Sequence, residues 1–187
     1  MSRIIAGSAR GRQLSVPKSG TRPTSSRVRE ALFSHLEHRD FIADCDILDL
    51  FAGSGAFALE ALSRGARRAI GVDSAPEAHR AMQTNARTTG LALQHIKAQA
   101  LTYVSQPGTD GPFDVVFLDP PYDFPDEQLA EILAQLPRHL KSDGVVVVER
   151  AKRSSQPRWP AQLEAERERT WGDTRVWSAH MAVEDVE

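Results

Sequence analysis

The stretch Asp49-Leu-Phe-Ala-Gly-Ser-Gly-Ala56 decides the fold class of this chain of 187 residues. An apolar strand, Ile47 to Phe51, runs into a turn that contains Gly53 and Gly55, and an alanine-rich helical segment follows. In sheets with parallel strands, ligands bind outside the carboxyl ends of the strands, where glycines let a ligand approach the backbone amides at a helix N-terminus. The stretch therefore predicts a strand, a turn and a helix with a ligand site at the turn.

The segments on either side continue this alternation of strand and helix. Runs such as Val115 to Leu118 are apolar at every position, as expected for strands that helices cover on both faces of a parallel sheet. After Arg150 the helical spacing stops, and two stretches joined at Gly172-Asp173 predict an antiparallel hairpin. We expect an α/β fold with a mostly parallel sheet that ends in this hairpin. The apolar strands are predicted at Ile47 to Phe51, Ala69 to Asp73, Leu91 to Lys97, Asp114 to Leu118 and Gly144 to Glu149.

The composition is that of an ordinary globular protein, with 41% hydrophobic and 26% charged residues. From the length we expect one domain over residues 1–187, in which residues 1–40 form a basic extension of hairpin plus helix. The single cysteine, Cys45, excludes an internal disulfide, and the six histidines show no zinc-ligand spacing, so we predict no metal site. Without a secretory or membrane-spanning apolar run, we expect a cytoplasmic protein with no membrane contact.

Basic side chains are concentrated in the N-terminal segment. Residues 1–40 carry eight lysines and arginines against three acidic residues, a net charge of +5, whereas the remaining residues have a net charge of −7. Residues 3–16 predict a hairpin with a basic tip, and Thr24 can cap a helix that runs to about Leu36. Guanidinium groups match phosphate oxygens, which makes RNA or DNA a candidate partner. A solvated basic face without a partner explains the charge equally well.

Two cofactors fit the glycine turn. Residues 53–58 satisfy the dinucleotide fingerprint, and Asp73 follows Gly55 by 18 residues at the end of the next predicted strand, where it can bind ribose hydroxyls. Asp49 favours the other cofactor, because a carboxylate would repel a pyrophosphate yet attract the cationic amino-acid end of S-adenosylmethionine. NAD stays open as an alternative, and so do a plain tight turn at the glycines and a helix-capping role for Asp73.

A second motif, Asp119-Pro-Pro-Tyr122, directly follows the strand Asp114 to Leu118 and emerges at the same edge of the sheet. Pro120 and Pro121 stiffen the loop, and the Pro120 carbonyl is an acceptor for hydrogen bonds. Together with Asp119 it can hold an exocyclic amine of a nucleobase against a methyl donor, while Tyr122 offers a stacking face. We therefore predict catalytic roles for these four residues. A rigid loop without chemistry is the alternative.

These residues resemble the Asp-Pro-Pro-Tyr amino-methyltransferases, which act on adenine N6, cytosine N4 or guanine N2. The N-terminal motifs indicate which family of amino-methyltransferases the chain resembles. This resemblance extends over nearly the whole length of the chain. The motifs are similar to those of the RsmD family, whose members methylate guanine N2 in the 16S RNA of the bacterial small ribosomal subunit. The similar segments are Arg3-Ile-Ile-Ala-Gly7, Arg10-Gly-Arg12, Arg22-Pro-Thr24 and Arg27-Val-Arg-Glu-Ala-Leu-Phe33.

The resemblance implies a class I S-adenosylmethionine-dependent methyltransferase, Rossmann-like, with a seven-stranded sheet and a small N-terminal hairpin and helix. It implies a monomer that acts on 16S rRNA within a partly assembled or complete small subunit. Expected cofactor contacts are Arg22, Thr24, Asp49, Ala52, Gly53, Ser54, Gly55, Asp73, Gln99 and Ala100, and expected RNA contacts are Arg10, Arg12, Arg27 and Arg29. The alternatives are an adenine-N6 methyltransferase of DNA or RNA, a nicotinamide-dependent oxidoreductase and a non-catalytic RNA-binding module.

Overall fold

The computed structural model describes residues 2–17, 25–106 and 110–183. The helices are α1 Ser26–His38, α2 Ala56–Ser63, α3 Pro76–Thr89, α4 Ala100–Ser105 and α5 Asp126–Gln135, with a 3-10 turn at Leu136–His139. The strands are β1 Ser2–Arg3, β2 Gln13–Leu14, β3 Asp46–Leu50, β4 Arg68–Asp73, β5 Gln94–Lys97, β6 Phe113–Leu118, β7 Leu140–Ala151, β8 Leu163–Trp171 and β9 Thr174–Met181.

A seven-stranded sheet in the order β5-β4-β3-β6-β7-β9-β8 forms the centre of the fold. The strands from β5 to β7 pair in parallel, whereas β9 is antiparallel to both β7 and β8. One apolar core lies between the sheet and α1, α2 and α3, and a second lies between the opposite face and α4 and α5. This confirms the predicted α/β fold, including the hairpin that turns at Gly172-Asp173.

Two strand boundaries differ from the sequence prediction by three residues or more. β5 begins at Gln94 and not at Leu91, because Gly90 ends α3 in a left-handed conformation and the Leu93 N–H donates to the Leu91 carbonyl at 2.9 Å. β7 begins at Leu140, four residues earlier than predicted. Pro137 has no backbone N–H to continue a helix, so α5 gives way to the 3-10 turn and the chain enters the strand at once.

Helix α1 begins beside the stretch that the resemblance assigns to the cofactor. Its N-cap is Ser25, whose hydroxyl accepts a hydrogen bond from the Val28 N–H at 3.2 Å, while the predicted cap Thr24 lies outside the described residues. The helix buries Val28, Leu32 and Leu36 against the sheet, as their spacing predicts. α1 therefore confirms the predicted helix and shifts its cap by one residue.

The N-terminal hairpin of β1 and β2 is attached to α2 by buried polar groups. Glu60, which is fully buried, accepts hydrogen bonds from the N–H groups of Ile5 and Ala6 at 2.9 and 3.0 Å. The Ser63 hydroxyl donates to the Ala6 carbonyl at 2.6 Å. Gly7 has a φ of 81°, and a Cβ there would lie 1.8 Å from the Ser63 carbonyl oxygen, so only glycine permits this approach. The hairpin is thus fixed to the C-terminal end of α2.

Arg29 belongs to this junction, and its predicted contact with RNA is wrong. The residue is 1% exposed, its Nε atom lies 3.7 Å from Oε2 of Glu60, and its guanidinium also donates to Ser2 Oγ and to the Arg3 carbonyl. A guanidinium enclosed in this way is not available to phosphate oxygens. Burial lowers the pKa of Arg29, while the Glu60 carboxylate raises it and so supports the charged form.

Candidate active site

The glycine turn after β3 takes its shape from three left-handed residues. Phe51, Gly53 and Gly55 have φ angles of 63°, 55° and 78°. The turn is closed by the Gly55 N–H, which donates to the Ala52 carbonyl at 2.7 Å. A Cβ on Gly55 would also lie 3.1 Å from Cγ of Met82, so the turn packs tightly on α3. Backbone strain of this kind is concentrated at binding and catalytic sites.

Asp49 lies on β3 directly beneath this turn and is 1% exposed. Its Oδ2 atom accepts a hydrogen bond from the Ala58 N–H at 3.3 Å, whereas Oδ1 has no hydrogen-bond partner among the described residues. Burial raises the pKa of Asp49 well above its usual range; the Ala58 hydrogen bond lowers it, and the nearby carboxylates of Asp119 and Asp73 raise it again. The orphaned oxygen suits a cationic donor such as the ammonium group of an amino acid.

Asp73, at the end of β4, shapes the glycine turn through hydrogen bonds of its carboxylate. Its Oδ2 atom accepts from the Gly53 N–H and its Oδ1 atom from the Ala75 N–H, each at 2.9 Å. Because a carboxylate oxygen has two lone pairs, these bonds leave capacity for ribose hydroxyls. Gln99 and Ala100 follow β5 at the same edge, where Gln99 is exposed and precedes α4 while Ala100 is buried.

The Asp-Pro-Pro-Tyr segment leaves β6 at the same edge of the sheet. Asp119 is partly buried, Pro120 is buried, Pro121 is exposed, and Tyr122 has 43% of its surface exposed, a large fraction for an aromatic residue. The turn is closed by the Phe124 N–H, which donates to the Pro121 carbonyl at 3.0 Å. The fixed prolines thus present Tyr122 to solvent as a stacking surface.

The loop that follows β3 and the loop that follows β6 are in direct contact. Leu50 of β3 and Leu118 of β6 are neighbours in register, so the two loops begin side by side. The ring of Phe51 packs edge-on against that of Phe124, with 4.9 Å between the centroids and 73° between the planes. Both loops therefore border one region of the strand-end edge, called the cleft here, where the carboxylates of Asp73 and Asp119 lie close enough to Asp49 to raise its pKa.

Asn85 of α3 joins the glycine turn to the N-terminal segment. The residue is 1% exposed, and its Nδ2 atom donates to the carbonyls of Ser15 and Ser54, both at 2.8 Å. Its Oδ1 atom accepts from the Ser15 N–H at 2.7 Å. The chain after β2 is therefore bound to the turn of the candidate site. Arg22 and Thr24, the predicted cofactor contacts that follow in sequence, lie outside the described residues.

The comparisons with known proteins agree with this architecture. Residues 2–180 match the family described as conserved hypothetical protein 95. The chain is 37% identical over 174 residues to the ribosomal RNA small subunit methyltransferase D of Escherichia coli K12, covering 91% of this chain and 85% of that protein. It is 33% identical to the putative rRNA methyltransferase YlbH of Bacillus subtilis, covering 93% and 96%. A solved structure, the putative methyltransferase yhhF of Escherichia coli, superposes with a TM-score of 0.83 at 34% identity over 96% and 97% of the two chains.

The chain belongs to the RsmD family. In this RsmD-family protein the basic residues of the N-terminal segment fall into two groups. Arg10, Arg12 and Arg27 are exposed and stay predictions as RNA contacts, whereas Arg29 is buried. The hairpin tip that carries Arg10 hydrogen-bonds through its backbone to Ser63 at the C-terminal end of α2. The tip is therefore separated from the glycine turn by the length of that helix, about 12 Å for eight residues.

Sequence analysis missed Arg150, which positions the loop of Tyr122. This arginine is the next-to-last residue of β7 and is 5% exposed. Its Nη2 atom donates to the Phe124 carbonyl at 2.8 Å, and its Nη1 atom lies 3.3 Å from Oδ1 of Asp126. The sequence contained a sign of this role, since an arginine two residues after the apolar run Val145 to Val148 needs polar partners when the strand is buried. The loop after β6 supplies these partners, because β6 is paired with β7.

Other chemistry finds no support near the cleft. Cys45 precedes β3 and is buried; desolvation, reinforced by the Asp114 carboxylate, raises the pKa of its thiol to about 11, so it is a poor nucleophile. Across residues 2–17, 25–106 and 110–183, no cluster of His, Cys, Asp and Glu side chains is arranged to hold a metal ion. Within the same ranges, no helix is long and apolar enough to cross a membrane.

Proposed function

We propose that this RsmD-family protein transfers a methyl group from S-adenosylmethionine to the exocyclic N2 of a guanine in 16S rRNA. The cleft shared by the glycine turn and the Asp-Pro-Pro-Tyr segment is the observation that carries the proposal. The relatives are named as rRNA methyltransferases of the small subunit, which supports RNA of that subunit as the substrate. The substrate form is a partly assembled or complete small subunit in the cytoplasm.

The residues beneath the glycine turn fit the cofactor. The orphaned Oδ1 atom of Asp49 receives the ammonium group of the methionine part, and Asp73 accepts from the ribose hydroxyls. Ala52, Ser54 and the two glycines of the turn offer backbone groups to the rest of the molecule. S-adenosylmethionine supplies an electrophilic methyl group on a sulfonium ion. Three carboxylates around the cleft stabilise a positive charge there.

The Asp-Pro-Pro-Tyr segment receives the target base. The guanine leaves its stack and rests on the exposed ring of Tyr122, as happens in enzymes that act on a single base. Asp119 and the Pro120 carbonyl accept the two hydrogens of the amino group and orient its nitrogen. As the carbon–nitrogen bond forms and the carbon–sulfur bond breaks, its electron pair stays on sulfur and the nitrogen becomes positively charged. The Asp119 carboxylate stabilises that charge, which raises the rate, and then accepts the proton that the nitrogen loses.

The decisive experiment measures both the cofactor and the product. Calorimetry with the full chain is expected to show binding of S-adenosylmethionine and none of NAD. Incubation with methyl-labelled cofactor and ribosomal particles from cells that lack the protein is expected to label 16S rRNA. Mass mapping is then expected to locate the label on N2 of one guanine. Label on adenine N6 would instead establish the alternative amino-methyltransferase, and binding of NAD alone would refute the proposal.

A further inference from the structure

Beyond the cleft, the edge of the sheet continues into a recess whose cations sequence analysis did not single out. The recess is lined by Tyr122, Ala151, Lys152, Arg153, Asp173 and Arg175 and has a volume of about 520 Å³. Volumes of about 300–1,000 Å³ are usual for sites that take a small molecule or one unit of a polymer. Among the described residues, the basic side chains that line it all lie outside the N-terminal segment.

The sheet topology brings these residues together. β7 lies beside β6, so its C-terminal end, followed by Lys152 and Arg153, comes next to the loop of Tyr122. β9 runs antiparallel to β7, which places the start of β9 at the same edge, with Ala151 opposite Thr174. The Lys152 N–H also donates to the Asp173 carbonyl at 2.7 Å, so the loop after β7 is fastened to the turn of the terminal hairpin.

The charges in the recess are arranged to meet an anion. Lys152 and Arg153 are exposed, and in the described part of the chain neither takes part in an ion pair. Arg175 lies deeper and is held in place, with its Nε atom 3.3 Å from Oε1 of Glu168 and its guanidinium 5.7 Å from the centre of the Trp177 ring. Basic side chains thus outnumber the one carboxylate of the lining, that of Asp173: Lys152 and Arg153 are exposed at the rim, and Arg175 is fixed in the wall.

We infer that this recess binds the backbone phosphates of the RNA strand next to the target base. The inference rests on the proposed function, because a base stacked on Tyr122 carries phosphates on both sides of its ribose, and the recess begins at that same tyrosine. Contacts to phosphate fix the position of a strand without reading its sequence. Lys152 and Arg153 hold the strand, so that Tyr122 and Asp119 receive the extruded base in a fixed orientation.

The test compares two double variants of the full chain. Lys152→Ala with Arg153→Ala removes the rim cations, and Arg80→Ala with Arg87→Ala removes two exposed cations from α3, which packs against β4 and β5 in the other half of the sheet. For single strands each phosphate contact contributes about 0.7 to the salt exponent, so between 50 and 200 mM salt two contacts account for about a sevenfold loss of affinity. We expect the RNA affinity of the rim variant to fall about sevenfold less than that of the unaltered chain over this range of salt. The affinity of the α3 variant should fall as much as that of the unaltered chain.

Further measurements distinguish a loss of phosphate contacts from damage to the cofactor site or to the fold. Binding of S-adenosylmethionine is expected to stay unchanged in the rim variant, and the charge-conserving pair Lys152→Arg and Arg153→Lys is expected to bind RNA as the unaltered chain does. A methylphosphonate beside the mapped target nucleotide should weaken binding to the unaltered chain and leave the rim variant no weaker than before.

The possible failures are distinguishable. If the unaltered chain methylates rRNA but the rim variant keeps its RNA affinity and salt exponent, only the phosphate recess is refuted. If the rim variant is impaired with ribosomal particles and normal with protein-free RNA, the recess binds a ribosomal protein and the inference is overturned. If the unaltered chain transfers no methyl group to rRNA, the proposed function fails and this inference fails with it.

Discussion

The two halves of the strand-end edge carry opposite charges. On the side of β3 and β4 the cleft contains the carboxylates of Asp49 and Asp73, with Asp119 at its border. On the side of β7 and β9 the recess is lined by three basic residues, Lys152, Arg153 and Arg175, and by one acidic residue, Asp173. A sulfonium cofactor with an ammonium group suits the acidic half, and a polyanion suits the basic half. Under the proposed function, this difference would let a chain with a formal net charge of −2 receive RNA at one position and keep phosphates away from the methyl donor.

The strongest test concerns the border between the halves. We expect Asp119→Ala to lower the rate of methyl transfer by about 10²–10³-fold, the usual cost of removing one group that stabilises charge in a transition state. Single-turnover transfer to rRNA measures it. Asp119→Asn keeps an acceptor oxygen at the same place and should lose less. Equal loss in both variants would show that the charge matters and the hydrogen bond does not.

The acidic half is tested by Asp49→Asn. Loss of a charged hydrogen bond, worth about 1.5–3 kcal/mol, should weaken binding of S-adenosylmethionine by about 10- to 150-fold, as measured by calorimetry. RNA affinity should not change. The exposed Asp123→Asn, which removes a charge from the loop after β6, is the matched control. An unchanged cofactor affinity in the Asp49 variant would place the ammonium group elsewhere.

Although Asp49→Asn should weaken cofactor binding, the same variant should stabilise the folded protein. Because the folded protein raises the pKa of Asp49, it holds that proton more tightly than the unfolded chain does. Stability is therefore lost as the pH rises from about 4, the unfolded value, through the raised folded value. We expect Asp49→Asn to unfold at a higher temperature than the cofactor-free parent at pH 7, and to lose less stability over that pH range.

The basic half is tested first at its stacking surface. Tyr122→Ala should cost about 1–3 kcal/mol of base stacking, which is a 5- to 150-fold loss in kcat/KM for RNA. Binding of S-adenosylmethionine should stay as it is, and Tyr122→Phe should behave like the parent because it keeps the ring. Normal methyl transfer to RNA by Tyr122→Ala would show that the target base does not stack on Tyr122.

The smallest expected effect asks whether the basic half extends to the N-terminal hairpin. Replacing Arg10 and Arg12 with alanine should reduce the salt exponent of RNA binding by about 0.7 for each phosphate that they contact. Because both side chains are exposed, the thermal unfolding temperature should not change. An unaltered exponent would confine the RNA surface to the edge of the sheet.

The sequence allowed the fold and the acidic half to be predicted, and the reason is local. Each signal is contained in a short stretch of sequence. These signals are the strand and helix periods, the glycines of the turn and the segment from Asp119 to Tyr122. Arg29 was misassigned because its charge suggested a surface position, although it falls on the helical stripe of Phe33 and Leu36. Glu60, an acid inside an alanine-rich helix, was the other half of that signal.

The basic half could not be predicted because its members are distant in sequence. Lys152 and Arg153 come together with Arg175 only through the antiparallel pairing of β7 and β9, and with Tyr122 through the pairing of β6 and β7. Sequence analysis predicted the terminal hairpin but not the register that fixes these neighbours. A cluster that is assembled by strand order has no period or motif to show it in the sequence.

The buried thiol before β3 has a practical consequence. Cys45 is the only cysteine of the chain. Because its pKa of about 11 keeps the thiol protonated at neutral pH, it should react very slowly with alkylating reagents. A cysteine introduced at an exposed position would then be the sole reactive sulfur. Fluorophores or spin labels attached there would report on one chosen site, without any prior engineering of the background.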